Sequence, residues 1–155
     1  MNKTINQIKD VELIEKELNQ TASGVLAFYS KAETVVQDAV NFLYKDKNIF
    51  IFFDDDDEYY EKISLDSSVS FTTIRNGSLK HVENPQQSSL YYLFSVTING
   101  IIKTVDDKKL VNFLLTNYSQ KFTPASIKEP DDPQKPERIL YIDSEEIQAF
   151  EEIGD

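Results

Sequence analysis

Between Asp10 and Asn19 the apolar side chains Val11, Ile14 and Leu18 recur at i, i+3 and i+7 among acids and Lys16. That spacing predicts a short amphipathic helix with Asp10 as its N-cap. The pattern breaks over Thr21 to Gly24, and Val25 to Tyr29 (VLAFY) reads as a buried strand entered through a glycine that permits close packing. After the polar turn Ser30 to Glu33, the run Thr34 to Tyr44 carries Val35, Val36, Val40, Phe42 and Tyr44. Lys45-Asp46-Lys47-Asn48 then turns the chain, so Ile49 to Phe53 returns as the second strand of an antiparallel hairpin. Glu58 to Leu65 has room for about two helical turns. Asp54 to Asp57 would stand at the positive end of its macrodipole, with Asp57 as cap.

Val69, Phe71 and Thr73 alternate with Ser70, Thr72 and Ile74, and Asn76-Gly77 predicts a tight turn with Leu79 to Val82 as its return strand. Glu83 to Ser89 is a loop. Leu90 to Ile98 is a long aromatic and β-branched strand that meets Asn99-Gly100 before Ile101 to Val105. Gly100 allows either a tight turn or a bulge that bends one continuous strand. Asp106 or Asp107 caps a helix whose apolar face is Leu110, Val111, Leu114, Leu115 and Tyr118. From Lys121 to Glu137 four of the five prolines cluster among charged residues, which forbids regular ladders and marks an arm or exposed loop. Arg138 to Ile142 (RILYI) is a last strand, and a short acidic helix is expected from Ser144, with Ile147 and Phe150 turned inward. This order of elements is α+β and mainly β: an antiparallel barrel with flanking helices, built as one domain over residues 1–155.

Charge narrows the partners. With 27 acidic residues against 16 basic ones the net charge is -11, so nucleic acid and an anionic membrane are repelled by the averaged field. Arginine is limited to Arg75 and Arg138, which leaves few bidentate clamps for a phosphate. The absence of cysteine removes disulfides, thiolate nucleophiles and sulfur-ligated metals. The polar N-terminal stretch and the short longest apolar run, Ile49 to Phe53, predict a soluble, cytoplasmic protein.

The segments SGVLAF, AVNFLYKDKNIFIFF, VSF, SVTINGIIKTVDD and RILYI, in that order and spacing, resemble the FMN-binding split-barrel family, the pyridoxamine 5'-phosphate oxidase-like proteins. The likeness covers most of residues 11–118 plus the strand near 140. It implies a homodimer with a flavin, FMN, in the cleft between subunits and a flavin-dependent oxidoreductase activity of unknown substrate. By the same resemblance the backbone around Asn41 and Phe42 and the corner from Phe53 to Asp54 contact the flavin, Tyr59 or Tyr60 stands where the family commonly has a lysine, and Lys62 is the anion contact. The departure lies at the phosphate, where Asp54, Asp55, Asp56, Asp57 and Glu58 replace a polar basic loop. Two unit charges about 4 Å apart interact by roughly 4 kcal/mol at a surface-like dielectric, here as repulsion.

Three readings stay open on the sequence: a flavin-dependent oxidoreductase, a split barrel that binds another planar ligand such as haem, and a non-catalytic protein whose acidic surface holds a basic partner. Haem would need His81, the single histidine, or a tyrosine as axial ligand. The acidic run lacks the spacing of a calcium loop and reads as a solvated turn with a helix cap, so no metal is expected. Without a G-x-S-x-G or a glycine-rich oxyanion loop, nothing marks a nucleophile. Phe50, Phe52, Phe53, Tyr59, Tyr60, Tyr91, Tyr92 and Phe94 read as barrel core or dimer interface before they read as a stacking platform.

Overall fold

The alternation of apolar and polar residues closes on itself. The computed structural model describes residues 3–54, 56–78, 91–122 and 138–154. Strand β1 spans Lys3–Ile8, followed by α1 (Val11–Gln20), β2 (Ser23–Tyr29), β3 (Val35–Lys45), β4 (Asn48–Phe53) and α2 (Glu58–Lys62). The chain continues through β5 (Ser68–Ser78), β6 (Tyr91–Thr104), α3 (Lys108–Phe122) and β7 (Arg138–Gly154). All pairings are antiparallel, in the order β1-β7-β4-β3-β2-β5-β6, and a further β6–β7 ladder shuts the ring. Closure removes the open edges an antiparallel sheet would otherwise expose. Along one edge, β7 meets β4 through Arg138 to Ile142 and β1 through Ala149 to Gly154.

The barrel is filled by Leu26, Phe28, Val40, Phe42, Ile49, Ile51, Phe53, Phe71, Phe94, Val96, Ile98 and Ile142, all nearly or fully buried. Phe42 and Phe71 meet edge to face with ring centres 4.9 Å apart, a geometry that adds to their area burial. Alternate residues of β4 point the other way: Phe50 and Phe52 lie under α3 with Leu43, Leu114 and Ile139. Thus NIFIFF is apolar throughout because both its faces are covered. Asp10 and Asp107 cap α1 and α3, the latter accepting from the Lys109 amide at 2.9 Å. The choice between Asp106 and Asp107 falls on Asp107.

Three expectations change. Asn76-Gly77 is not a turn: β5 runs straight through it, with Asn76 opposite Leu93 and Gly77 opposite Tyr92. A partner strand long enough to hold the ladder overrides the local turn preference. The return strand Leu79 to Val82, and His81 within it, lie outside the described residues, as does the proline-rich segment after Phe122. No helix starts at Ser144, because β7 continues to Gly154 against the whole of β6. Ile147 and Ala149 alternate inward there, and the helical spacing of Ile147 and Phe150 is incidental to a strand period. Finally, β1 is a strand that the pattern did not predict: its side chains are exposed apart from a half-buried Ile8, and backbone pairing to β7 holds it.

At Gly100 the strand is continuous, and the bulge sits opposite it. Asn99 pairs with Glu146 but Gly100 pairs with Ser144, which leaves Glu145 of β7 as the extra residue.

Arg75 of β5 reaches α1 and donates to Glu17 Oε1 at 2.8 Å. The Glu17 side chain is only 8% exposed while that of Arg75 is 50% exposed, so the arginine supplies the buried carboxylate's partner from the surface. Arg75→Ala is expected to cost about 2 kcal/mol, less than the loss of a fully buried pair because water reaches the guanidinium site. Urea unfolding with an unchanged m-value measures it, and a loss below about 0.5 kcal/mol would show the tie to be ornamental.

Candidate functional site

On the outside of the barrel, β3, β2 and β5 present small residues in register. Val25 pairs with Ala39 on one side and Thr72 on the other, and Ala27 pairs with Gln37 and Ser70. These two rows, Ala39–Val25–Thr72 and Gln37–Ala27–Ser70, form the floor of a groove of about 570 Å³ that runs on to Ser23 and Ile74. Among the described residues no charged side chain lines it. A second hollow of about 350 Å³ shares Ala27 and Ser70 with the groove and extends to Asn99, Gly100 and the bulged Glu145. Around this floor large apolar side chains face solvent: Val25 is 41% exposed, Tyr29 54%, Val35 68% and Ile74 59%. Large apolar side chains gathered on one face of an otherwise acidic protein make it the candidate binding face.

Gly24 belongs to the same strand for a packing reason. A Cβ there would stand 2.3 Å from the Phe71 ring and 2.8 Å from the Thr72 carbonyl oxygen. The expected close approach at this glycine is therefore between β2 and β5.

Beside β3, the chain from Asp54 to Lys62 makes an acidic corner at the barrel's rim. Asp57 caps α2, accepting from the Tyr59 amide at 2.9 Å. The protein's own carboxylate thus takes the place an external anion would want. Asp38 of β3 faces this corner: burial first, and then the charge of Asp57, hold its carboxyl above the usual range. Asp54 and Asp56 are exposed, and Asp55 lies outside the described residues. Two cations border the acids. Arg138, at the start of β7, donates to Glu61 at 2.5 Å and lies 4.5 Å from the Tyr60 ring centre. Lys62 is exposed, with its ammonium 5.5 Å from the Tyr59 ring.

The residues expected at a flavin separate into groups. Phe42 and Phe53 are core side chains, 0% and 1% exposed, so they offer backbone alone. The Phe42 amide donates to Ala22 O at 3.4 Å and its carbonyl accepts from Lys121 Nζ at 2.9 Å. Asn41 is exposed at the end of the β2–β3 ladder, opposite Ser23, beside the groove. Asp54, Tyr59 and Lys62 sit together in the acidic corner. Arg75, the other basic residue of interest, is held by Glu17 and stays away from that corner. The groove floor itself was not foreseen; its trace in the sequence is SGVLAFY, where Val25 and Ala27 make the outward side of a strand apolar as well. Arg138, a strand residue and one of the two candidate clamps in the sequence, is brought by barrel closure to α2. Among the described residues no three His, Cys, Asp or Glu side chains group as a metal site, and no helix is long and apolar enough to cross a membrane.

No family model and no curated protein matches the sequence. Solved structures do match. A candidate 5-nitroimidazole antibiotic resistance protein from Bacteroides thetaiotaomicron superposes with a TM-score of 0.75 at 11% identity, covering 100% of this chain and 93% of that one. An FAD binding protein from Mycobacterium smegmatis gives 0.65 at 12% identity over 96% and 99% of the two chains. A candidate pyridoxamine 5'-phosphate oxidase from Corynebacterium glutamicum gives 0.58 at 16% identity over 97% and 95%. The near-complete coverage of both chains, together with the closed antiparallel ladder, establishes that this protein has the split-barrel fold of the pyridoxamine 5'-phosphate oxidase-like and flavin-binding proteins.

Proposed function

We propose that the chain binds a flavin on the β3–β2–β5 face, in a cleft completed by a second copy, and acts as a flavin-dependent oxidoreductase. The observation that carries this reading is the uncharged groove of about 570 Å³ with its floor of Val25, Ala27, Ala39, Ser70 and Thr72. Small side chains in two flat rows suit a planar ring, while Gln37, Ser70 and Thr72 offer hydrogen-bonding groups at its margin. When bound, the flavin supplies the electron or hydride transfer. The chain's own part is to orient the ring, keep water from it and leave its surroundings uncharged.

The ring fits better than the phosphate. α2 has already given its Tyr59 amide to Asp57, and Asp54 and Asp56 add negative charge at its entrance. Lys62 at the edge of the corner, the one exposed cation of α2, would hold the phosphate of FMN bound here. The double substitution Asp54→Lys with Asp56→Lys is then expected to tighten FMN binding about tenfold at low salt, with the gain shrinking as ionic strength rises. Riboflavin, which lacks the phosphate, should be indifferent to the change. Equal responses of FMN and riboflavin would remove the electrostatic argument.

A visible absorption spectrum of freshly purified protein, before and after adding FMN or FAD, tests the main reading. Flavin bands that persist through gel filtration support it; a colourless protein that takes up neither flavin overturns it.

A further inference from the structure

A second pocket lies where α1, β3 and α3 meet, and it shares no lining residue with the groove. Its volume is about 370 Å³. It is lined by Lys121 of α3, half-buried, donating to Phe42 O at 2.9 Å with its ammonium 4.3 Å from the Phe42 ring centre. Among the described residues no carboxylate forms an ion pair with Lys121. A cation taken partly out of water without a counter-ion leaves charge uncompensated. Leu43, Leu114 and Phe113 give the pocket an apolar wall, and the amides of Asn19 and Gln120 line its polar side. Lys45 also lines it, 5.2 Å from the Phe113 ring centre, although Asp46 shares its charge.

We propose that this pocket binds a small monocarboxylate with an aromatic or branched apolar body, its carboxylate paired with Lys121 and its body against Phe113, Leu43 and Leu114. One half-buried cation balances one charge, and neutral amides can donate to the remaining acceptor lone pairs. A dianion would be under-compensated on a protein of net charge -11. The apolar wall excludes small hydrophilic anions as the preferred ligand. This site stands whether or not a flavin occupies the groove.

Burial draws the Lys121 ammonium down to about 8 from the ordinary lysine value. Its folded-state pKa is below the unfolded one, so in the free protein stability rises as pH climbs from about 8 toward that ordinary value. A bound carboxylate favours the ammonium and pushes its pKa back up. Binding near pH 8 therefore takes up a proton, and affinity falls as pH rises above it. The other groups facing the pocket are Tyr44 and Lys45 of β3, with Asp46 of the following turn beside Lys45, and Glu15 on α1 through its field at Tyr44. Burial, then Glu15, hold Tyr44 above its usual pKa, so it stays neutral through this range.

The test is calorimetric titration of benzoate into the full-length protein near pH 8, in two buffers that differ in ionisation enthalpy. Saturable one-site binding with net proton uptake is expected. Lys121→Met should weaken it more than tenfold, and Lys62→Met should leave it unchanged. Lys121→Arg, which keeps a cation that does not titrate here, should still bind but without buffer dependence. Failure of the native protein to bind benzoate, or identical enthalpies in the two buffers, overturns the proposal. If Lys121→Met does not fold, Lys121→Arg decides: persistent proton uptake in that variant assigns the linkage to another group and overturns the role of Lys121.

Discussion

Gly100→Val is expected to destabilise the protein by about 4 kcal/mol or more. A Cβ at this position would stand 2.2 Å from the Asp143 carbonyl oxygen and 2.9 Å from both the Asp143 carbonyl carbon and the Ile142 side chain. The principal obstacle is backbone, so no flexible side chain can swing aside. Neither strand can retreat, because Gly100 is paired to Val69 of β5 on one side and to Ser144 of β7 on the other. Overpacking that forces backbone shifts usually costs about 1–3 kcal/mol, and here the shift would have to open the ladder that closes the barrel. Against a typical total stability of about 5–15 kcal/mol that is a large fraction. Urea unfolding followed by far-UV circular dichroism checks it. A Gly100→Val protein within about 1 kcal/mol of the parent would show that the β6–β7 approach relaxes easily. The glycine would then need another explanation.

Gly100 also shows how far a sequence reaches. The residue types permitted a turn or a bulge, and the decision came from β7, whose Glu145 is inserted opposite and whose register no local pattern discloses. Where a segment carries its own signal the reading was sound. Asp10 and Asp57 cap the helices expected of them, and the β3–β4 hairpin turns within Lys45 to Asn48. Leu110, Val111, Leu114, Leu115 and Tyr118 all pack on one cluster. Where a segment depends on a partner it failed: Asn76-Gly77 was absorbed into β5, Ser144 onward into β7, and β1 exists by pairing alone. The candidate site divides in the same way. The acidic corner was legible because its residues are contiguous. The groove was not, because its floor is assembled by cross-strand register among Ala39, Val25 and Thr72, residues far apart in the chain. Arg138 reaches Glu61 only because β7 and β4 are neighbours.

The same groove yields the second large effect. Under the proposed function, Val25→Asp with Val35→Asp is expected to give a folded monomer that binds flavin at least a hundredfold more weakly than the parent. Within one chain these positions are 41% and 68% exposed, so carboxylates there remain hydrated and folding should lose little. In a twofold assembly each substitution occurs twice. Four carboxylates would then be pressed into an apolar seam beside Tyr29 and Ile74, themselves 54% and 59% exposed in the single chain. An unpaired charge removed from water costs several kcal/mol, and each 1.4 kcal/mol is tenfold in the equilibrium, so association should become unmeasurable at ordinary concentrations. Native mass, thermal melting and flavin absorbance on the same preparation separate the outcomes. An unchanged dimer would move the subunit interface off this face. A monomer that keeps its flavin would show that one copy completes the site. Loss of both together, with a single cooperative melt retained, is the result expected if two copies close over the β3–β2–β5 floor and the ring lies between them.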